Sequence, residues 1–195
     1  MYIMRRLGRI ASLLCVTAAC AHAAPPPKDN PRLRALFDAD QSARENGPIN
    51  WTILTRQDAE RRAELRKMMT NHTLSTGLDY YEAAFIEQHG QEPEDFLLAH
   101  ALAMGALAKG YTDARWIAAA TLDRYLQNTK HPQIFGTQTI LRTNATTHQE
   151  NPPTREPFDT TLVPDSLRLI LGVPDLKTLA SRLAAKDFNS AEDDN

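Results

Sequence analysis

The chain has 195 residues, of which 42% are hydrophobic, 24% charged and 7% aromatic, with 8 glycines, 12 prolines and a formal net charge of −2. That balance excludes a disordered, collagenous or coiled-coil chain and describes one ordinary soluble domain. It offers no positive field for nucleic acid or anionic lipid, so neither is expected as a partner.

At the amino terminus Arg5, Arg6 and Arg9 precede the apolar run Ile10 to Ala21, with no acid among the first 23 residues. About a dozen apolar residues are too few to span a bilayer of ~30 Å, but they suit the core of a bacterial secretory signal. Ala21-His22-Ala23 reads as its cleavage site, and Pro25-Pro26-Pro27 stiffens a linker over 24–30. The expectation is a protein released into the periplasm or medium. The alternative is a lipoprotein anchored through Cys20, but Thr17 stands where a lipidation signal usually has Leu, which places free export ahead. Cleavage after Ala23 leaves 172 residues (195 less 23) and removes both cysteines, Cys15 and Cys20. The mature domain is then expected to lack a disulfide, a thiol nucleophile and a zinc–cysteine site.

From residue 31 the spacing predicts a mainly α fold in a single domain over 31–187. Asn30-Pro31 opens a first helix that Gly47-Pro48 closes near Asn46. Thr55 and Asp58 read as a capping box for a second, highly charged helix running to about Met69. Asp79 opens a third, Tyr80 to His89; Pro93 begins a fourth, Glu94 to Lys109; Thr112 or Asp113 caps a fifth that reaches about Asn128. Short linkers between the last three imply antiparallel neighbours, giving a bundle of about five core helices. Gln133 to Arg142, β-branched and aromatic, reads as an extended segment or small hairpin, and Thr143 to Asp159 as a long loop. Two short helices, Pro164 to Leu171 and Pro174 to Lys186, precede an acidic tail at 188–195.

Polar residues continue several apolar helix faces. Leu33, Leu36 and Phe37 lead to Asp40, Gln41 and Arg44 by steps of three and four. Asp40 and Arg44 suit an intrahelical salt bridge, which leaves Gln41 unexplained. Tyr81, Phe85 and His89 stack at spacing four beside Gln88, where His89 also suits the negative end of a helix dipole. His100 lies in an apolar stripe and reads as a hydrogen-bonded core residue. The two histidines bring no third ligand, so neither a metal nor another cofactor is expected. Asp123 and Arg124 are adjacent, about 100° apart around a helix, so each needs its own partner. Gln133 and Gln138 place an amide at each end of a short stretch centred on Gly136, where backbone can approach something closely. The run Arg56, Arg61, Arg62, Arg66, Lys67, interleaved with Asp58, Glu60 and Glu64, reads as a solvated face.

The elements Asp40-Gln41-x-x-Arg44, Asp79-Tyr80-Tyr81 through Gln88-His89-Gly90, Ala114-Arg115-Trp116 through Asp123-Arg124-Tyr125-Leu126, and Gln133-x-Phe135-Gly136-Thr137-Gln138 resemble an uncharacterised bacterial family known only as a domain of unknown function. The similarity runs roughly from Leu33 to Leu176 and includes Arg168 and Gly172. It implies a helical domain whose motif residues are polar, and no activity.

Absence of a nucleophile-elbow, zincin, P-loop or dinucleotide motif leaves binding or structural roles ahead of catalysis. The expected site gathers Asp40, Gln41, Arg44, Gln88, His89, Asp123, Arg124, Gln133 and Gln138 in one pocket around a polar or anionic small molecule or peptide, with His89 and Asp123 in one cluster with Asp40 and Arg44. Arginines would hold the anionic group and glutamines orient it. The enzyme alternative, a cofactor-free hydrolase or lyase, makes His89 the general base oriented by Asp40 or Asp123. The structural alternative makes the same residues a buried, satisfied network that fixes helix register.

Overall fold

The computed structural model describes residues 26–45, 48–144, 146–147 and 149–187. The expected signal segment and acidic tail lie outside the described residues. Seven helices occur among those described: α1 (Pro31–Glu45), α2 (Trp51–Thr70), α3 (Gly77–Glu87), α4 (Pro93–Ala108), α5 (Ala114–Asn128), α6 (Asp165–Ile170) and α7 (Leu176–Ala185). The fold is therefore mainly α, with five helices packed together and two short ones following. No described helix is long and apolar enough to cross a membrane.

Each start has a chemical cause. The Asn30 side chain accepts from the backbone N–H groups of Arg32 and Leu33, at 3.0 and 3.2 Å, with Pro31 first in the helix. The Asn30 N–H donates to Asp79 Oδ1 at 2.7 Å, tying the start of α1 to that of α3. For α2 the cap is Asn50, which accepts from the Ile53 N–H at 3.2 Å, so the helix begins at Trp51 rather than at the expected Thr55 box. For α3 the cap is Thr76 and Asp79 is its capping-box partner rather than the cap. The helix ends at Glu87, where the His89 and Gly90 N–H groups turn back to the carbonyls of Ile86 and Glu87, so His89 sits in the turn after α3 instead of in its last turn.

Packing runs α1 and α2 on α3, α3 on α4, and α4 on α5. Ala83, Ala84, Ala103, Ala106 and Ala118 are sealed among Leu33, Leu65, Ile86 and Ile117, and these small side chains let the helices approach closely. A second core forms on the far side of α5, where Ala119 meets Phe135, Val163, Val173 and Leu179. Because both sides of α5 are covered, Ile117 to Thr121 are buried all round. His100 Nδ1 lies 2.8 Å from the Ala118 carbonyl, a link between α4 and α5.

The segment after α5 forms no sheet among the described residues. Gln133 pairs with Phe158 in a parallel bridge, and Ile140 and Thr143 pair with Thr154 and Glu150 in antiparallel ones. The extended stretch 133–142 thus finds its partner in the region expected to be a loop. Gly136 has φ +77°, and a Cβ there would lie 2.6 Å from the Phe158 ring, so close approach and left-handed backbone both demand glycine.

Candidate functional site

At the junction of α1, α2 and the end of α3 lies a cluster of charged side chains built around Asp40, whose accessibility is zero. Asp40 Oδ1 accepts from Arg61 Nε at 3.1 Å and from Arg44 Nη1 at 3.2 Å, while Oδ2 accepts from Gln41 Nε2 at 2.9 Å. Asp58, also buried, accepts from Arg44 Nη2 at 2.8 Å and from Arg61 Nη2. Each guanidinium therefore bridges the two carboxylates. Two acids and two arginines cancel, and their fixed geometry locks α1 against α2. Gln41 holds the carboxylate that the helix spacing left it beside.

His89 completes the ring around Asp40, with Nδ1 2.9 Å from Oδ2 and 3.2 Å from Oδ1. A carboxylate only accepts, so Nδ1 carries the proton and Nε2 is left with its lone pair. Burial pushes the His89 pKa below its ordinary value; Asp40 opposes this, and the positive charges of Arg44 and Arg124 reinforce it. The ring is neutral near pH 7. The backbone supports the placement, since Arg62 Nη1 donates to the His89 carbonyl at 2.8 Å.

Asp40, Asp58 and His89 each bring a ligand-type atom within 4.8 Å of the others. Three such groups resemble a cation site, but the guanidiniums of Arg44 and Arg61 already occupy the carboxylate oxygens, and a cation would sit against them. The donor set does not fit a metal.

Arg124 approaches this cluster from α5. It lies four residues from Ala120 and seven from Ile117, on the buried side toward the bundle. Its Nε is buried with no hydrogen-bond partner, and no carboxylate pairs with its side chain among the described residues. Burial, with the charge of Arg44 adding to it, pulls its pKa below the ordinary arginine value. An arginine cannot escape such a setting by losing its proton. The cluster as a whole thus carries one uncompensated positive charge.

Asp123, adjacent in sequence, faces the other way and does not join His89. One oxygen accepts from the backbone N–H groups of Ile134 and Phe135, at 2.8 and 3.0 Å, and the other from the Thr137 N–H and hydroxyl, at 2.9 and 2.8 Å. The expected placement beside Asp40 and His89 is corrected: Asp123 is four residues from Ala119, on the face covered by the C-terminal segment. Gln133 and Gln138 belong to the same knot. Gln133, fully buried, donates to the carbonyls of Gln138 (2.9 Å) and Arg155 and accepts from the Gln138 N–H at 3.0 Å. Gln138 Nε2 reaches the Thr137 hydroxyl at 3.0 Å. Gln88, buried at the end of α3, has no hydrogen bond to its Oε1.

Arg168 closes the knot. It is completely buried in α6, donates to the carbonyls of Ile134 and Phe135, and stacks over the Phe158 ring at 5.2 Å. Its donation to the Ile134 carbonyl and the Phe135 N–H donation to Asp123 engage opposite ends of one peptide group. Acid and guanidinium are coupled through that peptide dipole rather than by contact.

Asp58 and Arg61 belong to the cluster although the charged run of α2 was expected to be solvated. Their signal is the same as for α1: Leu54, Asp58, Arg61 and Leu65 follow steps of four, three and four, and all are buried. Elsewhere a groove of about 670 Å³ opens between 141–153 and α7, lined by Leu141, Pro152, Pro153, Ala180 and Leu183, and shares no residue with the cluster. No protein-family model, curated protein or solved structure matches the chain.

Proposed function

We propose that the face shared by Arg124, Arg44 and His89 binds the anionic group of a small molecule or peptide, in an exported protein freed of its first 23 residues. The observation that carries this reading is Arg124, whose Nε is buried without an acceptor and whose side chain has no described hydrogen bond or ion pair, beside a network whose own charges already cancel. A partly buried cation with an unpaired nitrogen is costly, and a ligand oxyanion supplies the missing partner. Arg44, held by Asp40 and Asp58, is the second positive charge near the same place. Asp40, Gln41, Asp58 and Arg61 position these groups, whereas Asp123, Gln133 and Gln138 serve the scaffold.

Thermal melts of the mature protein with sulfate, phosphate, acetate and citrate at fixed ionic strength test it. A bound anion stabilises the folded state by mass action, by about 2.7 kcal/mol at a hundredfold excess over Kd. The rise is expected for the wild type and not for Arg124→Met. Equal responses in the two proteins, or none from any anion, would overturn the reading. Mass spectrometry of the exported chain checks the cleavage point.

A second reading has its own support. His89 is bound to Asp40 through Nδ1 and has no described hydrogen bond at Nε2, the arrangement of an oriented general base. A hydrolase or lyase built on this pair would leave Arg124 to hold the substrate's anionic group.

A further inference from the structure

If the Arg124 face binds an anion, its surroundings also say what must accompany that anion. His89, on which the charge of Arg124 acts, is a titratable group of this cluster with an unused valence at Nε2. Around it stand Asp40 and Arg44 from α1, Asp58, Arg61 and Arg62 from α2, and Arg124 from α5, with Asp95 of α4 reached through Arg62 at 4.0 Å. The carboxylate that should favour an imidazolium, Asp40, is already shared among Arg44, Arg61 and Gln41. In the empty site a second positive charge on His89 would face Arg44 and Arg124 with too little negative charge to offset it. An oxyanion at Arg124 reverses that balance. One of its oxygens would take the guanidinium, and another would become an acceptor for an Nε2–H.

We propose that the site takes its oxyanion together with one proton, His89 Nε2 being the atom that receives the proton and then donates to the ligand. The ligand class is accordingly an anion with at least two oxygens, a sulfate, phosphate or carboxylate group, in which one oxygen faces Arg124 and a second faces His89. The balance is simple: the site with His89 neutral, the anion and one proton combine, the proton leaving a hydronium ion or buffer acid to form the Nε2–H bond, and no bond of the anion breaks. This rests on the anion-binding reading above and adds the requirement for the proton.

Sulfate is the suitable probe because it carries no proton of its own near neutral pH. Calorimetric titration of the mature protein with sodium sulfate, at constant ionic strength and in buffers of different ionisation enthalpy, counts protons taken up per anion. The expected uptake approaches one at pH 7.5, and affinity should fall by about tenfold for each unit of pH above the His89 titration. His89→Gln keeps an amide that can donate to Asp40 but does not titrate, so it should bind sulfate without proton uptake and without that pH dependence. Imidazole NMR of the wild type gives a reading independent of the variant's folding: the His89 pKa should rise when sulfate is added. Sulfate binding with no proton uptake, or the same uptake in a folded His89→Gln, would overturn this inference and leave anion binding standing. No sulfate binding at all would overturn both.

Discussion

Two buried polar assemblies stand on opposite sides of α5, and they solve the problem of burying charge differently. Around Asp123 the partners are mostly backbone: three N–H groups and a hydroxyl take its oxygens, Gln133 takes three backbone groups, and Arg168 takes two carbonyls. Around Asp40 the partners are side chains from α1, α2 and the turn after α3, and at its margin Arg124 and the Nε2 of His89 have none. Apart from Arg168 Nε, which has no hydrogen-bond partner, the first assembly spends its valences on holding an irregular segment that has no sheet to satisfy it. The second keeps two valences unspent, both of which suit an anion. A single unspent valence does not set the second assembly apart, since Arg168 Nε has one inside the scaffold; a whole arginine side chain with no described hydrogen bond, beside an imidazole with one nitrogen unused, does.

The contrast is broken most directly at Asp123. Asp123→Ala strips acceptors from the N–H groups of Ile134, Phe135 and Thr137 and leaves buried Arg168 without the negative charge across the peptide. The expected loss is about 3–5 kcal/mol in denaturant unfolding, with unchanged sulfate affinity under conditions where the variant is folded. A loss under about 1 kcal/mol, typical of a surface change, would remove the scaffold role assigned to this residue.

A smaller effect is expected at Glu82, a buried acid of α3 outside both assemblies. Its Oε1 lies 2.5 Å from Arg34 Nη2 without hydrogen-bond alignment, and burial pushes its pKa up from 4.5 to about 7. Between those values the native state holds more protons at this group than the unfolded chain. Its contribution therefore weakens stability progressively as pH rises from about 4.5 to 7, and the full penalty is present at pH 8. With Arg34 half exposed and screened, Glu82→Gln should gain about 1–2 kcal/mol at pH 8 and little at pH 4.5. Melts across that range check the sign.

How much of this was readable in the chain depends on what each side chain touches. Asp40, Gln41 and Arg44 were legible because they prolong an apolar stripe, and a helix face is a local property of sequence. Asp58 and Arg61 obey the same rule between Leu54 and Leu65, but neighbouring Arg62, Glu60 and Glu64 made the run look solvated. Asp123 was legible as a residue needing a partner, not as to which one, since backbone N–H groups 11 to 14 residues away carry no sequence signature. Arg168 inverts the usual pattern: it is sealed while Leu167, Leu169 and Ile170 around it are exposed. Only the carbonyls of Ile134 and Phe135, turned toward it by the Asp123 knot, make that placement stable. The helices followed from caps and stripes; the tertiary use of backbone groups did not.

The smallest expected change in stability is the most discriminating, because it compares the sealed Arg168 of α6 with the partly buried Arg124 of α5. Arg168 has carbonyl acceptors and an acid across the peptide, whereas Arg124 has neither among the described residues. Removing a paired buried charge strands its partner; removing an unpaired one relieves desolvation and strands nothing. Arg124→Met keeps most of the side-chain volume and deletes the charge. Without added anion its stability should be unchanged or higher by up to about 1 kcal/mol, within the gain typical when a functional residue is given up. Arg168→Met should lose about 3 kcal/mol or more under the same conditions. If Arg124→Met also falls by that amount, Arg124 is part of the scaffold and the anion reading loses its main support. If it holds while Arg168→Met collapses, the purely structural account of the Asp40 assembly fails, because a network that existed only to be satisfied would not have kept Arg124.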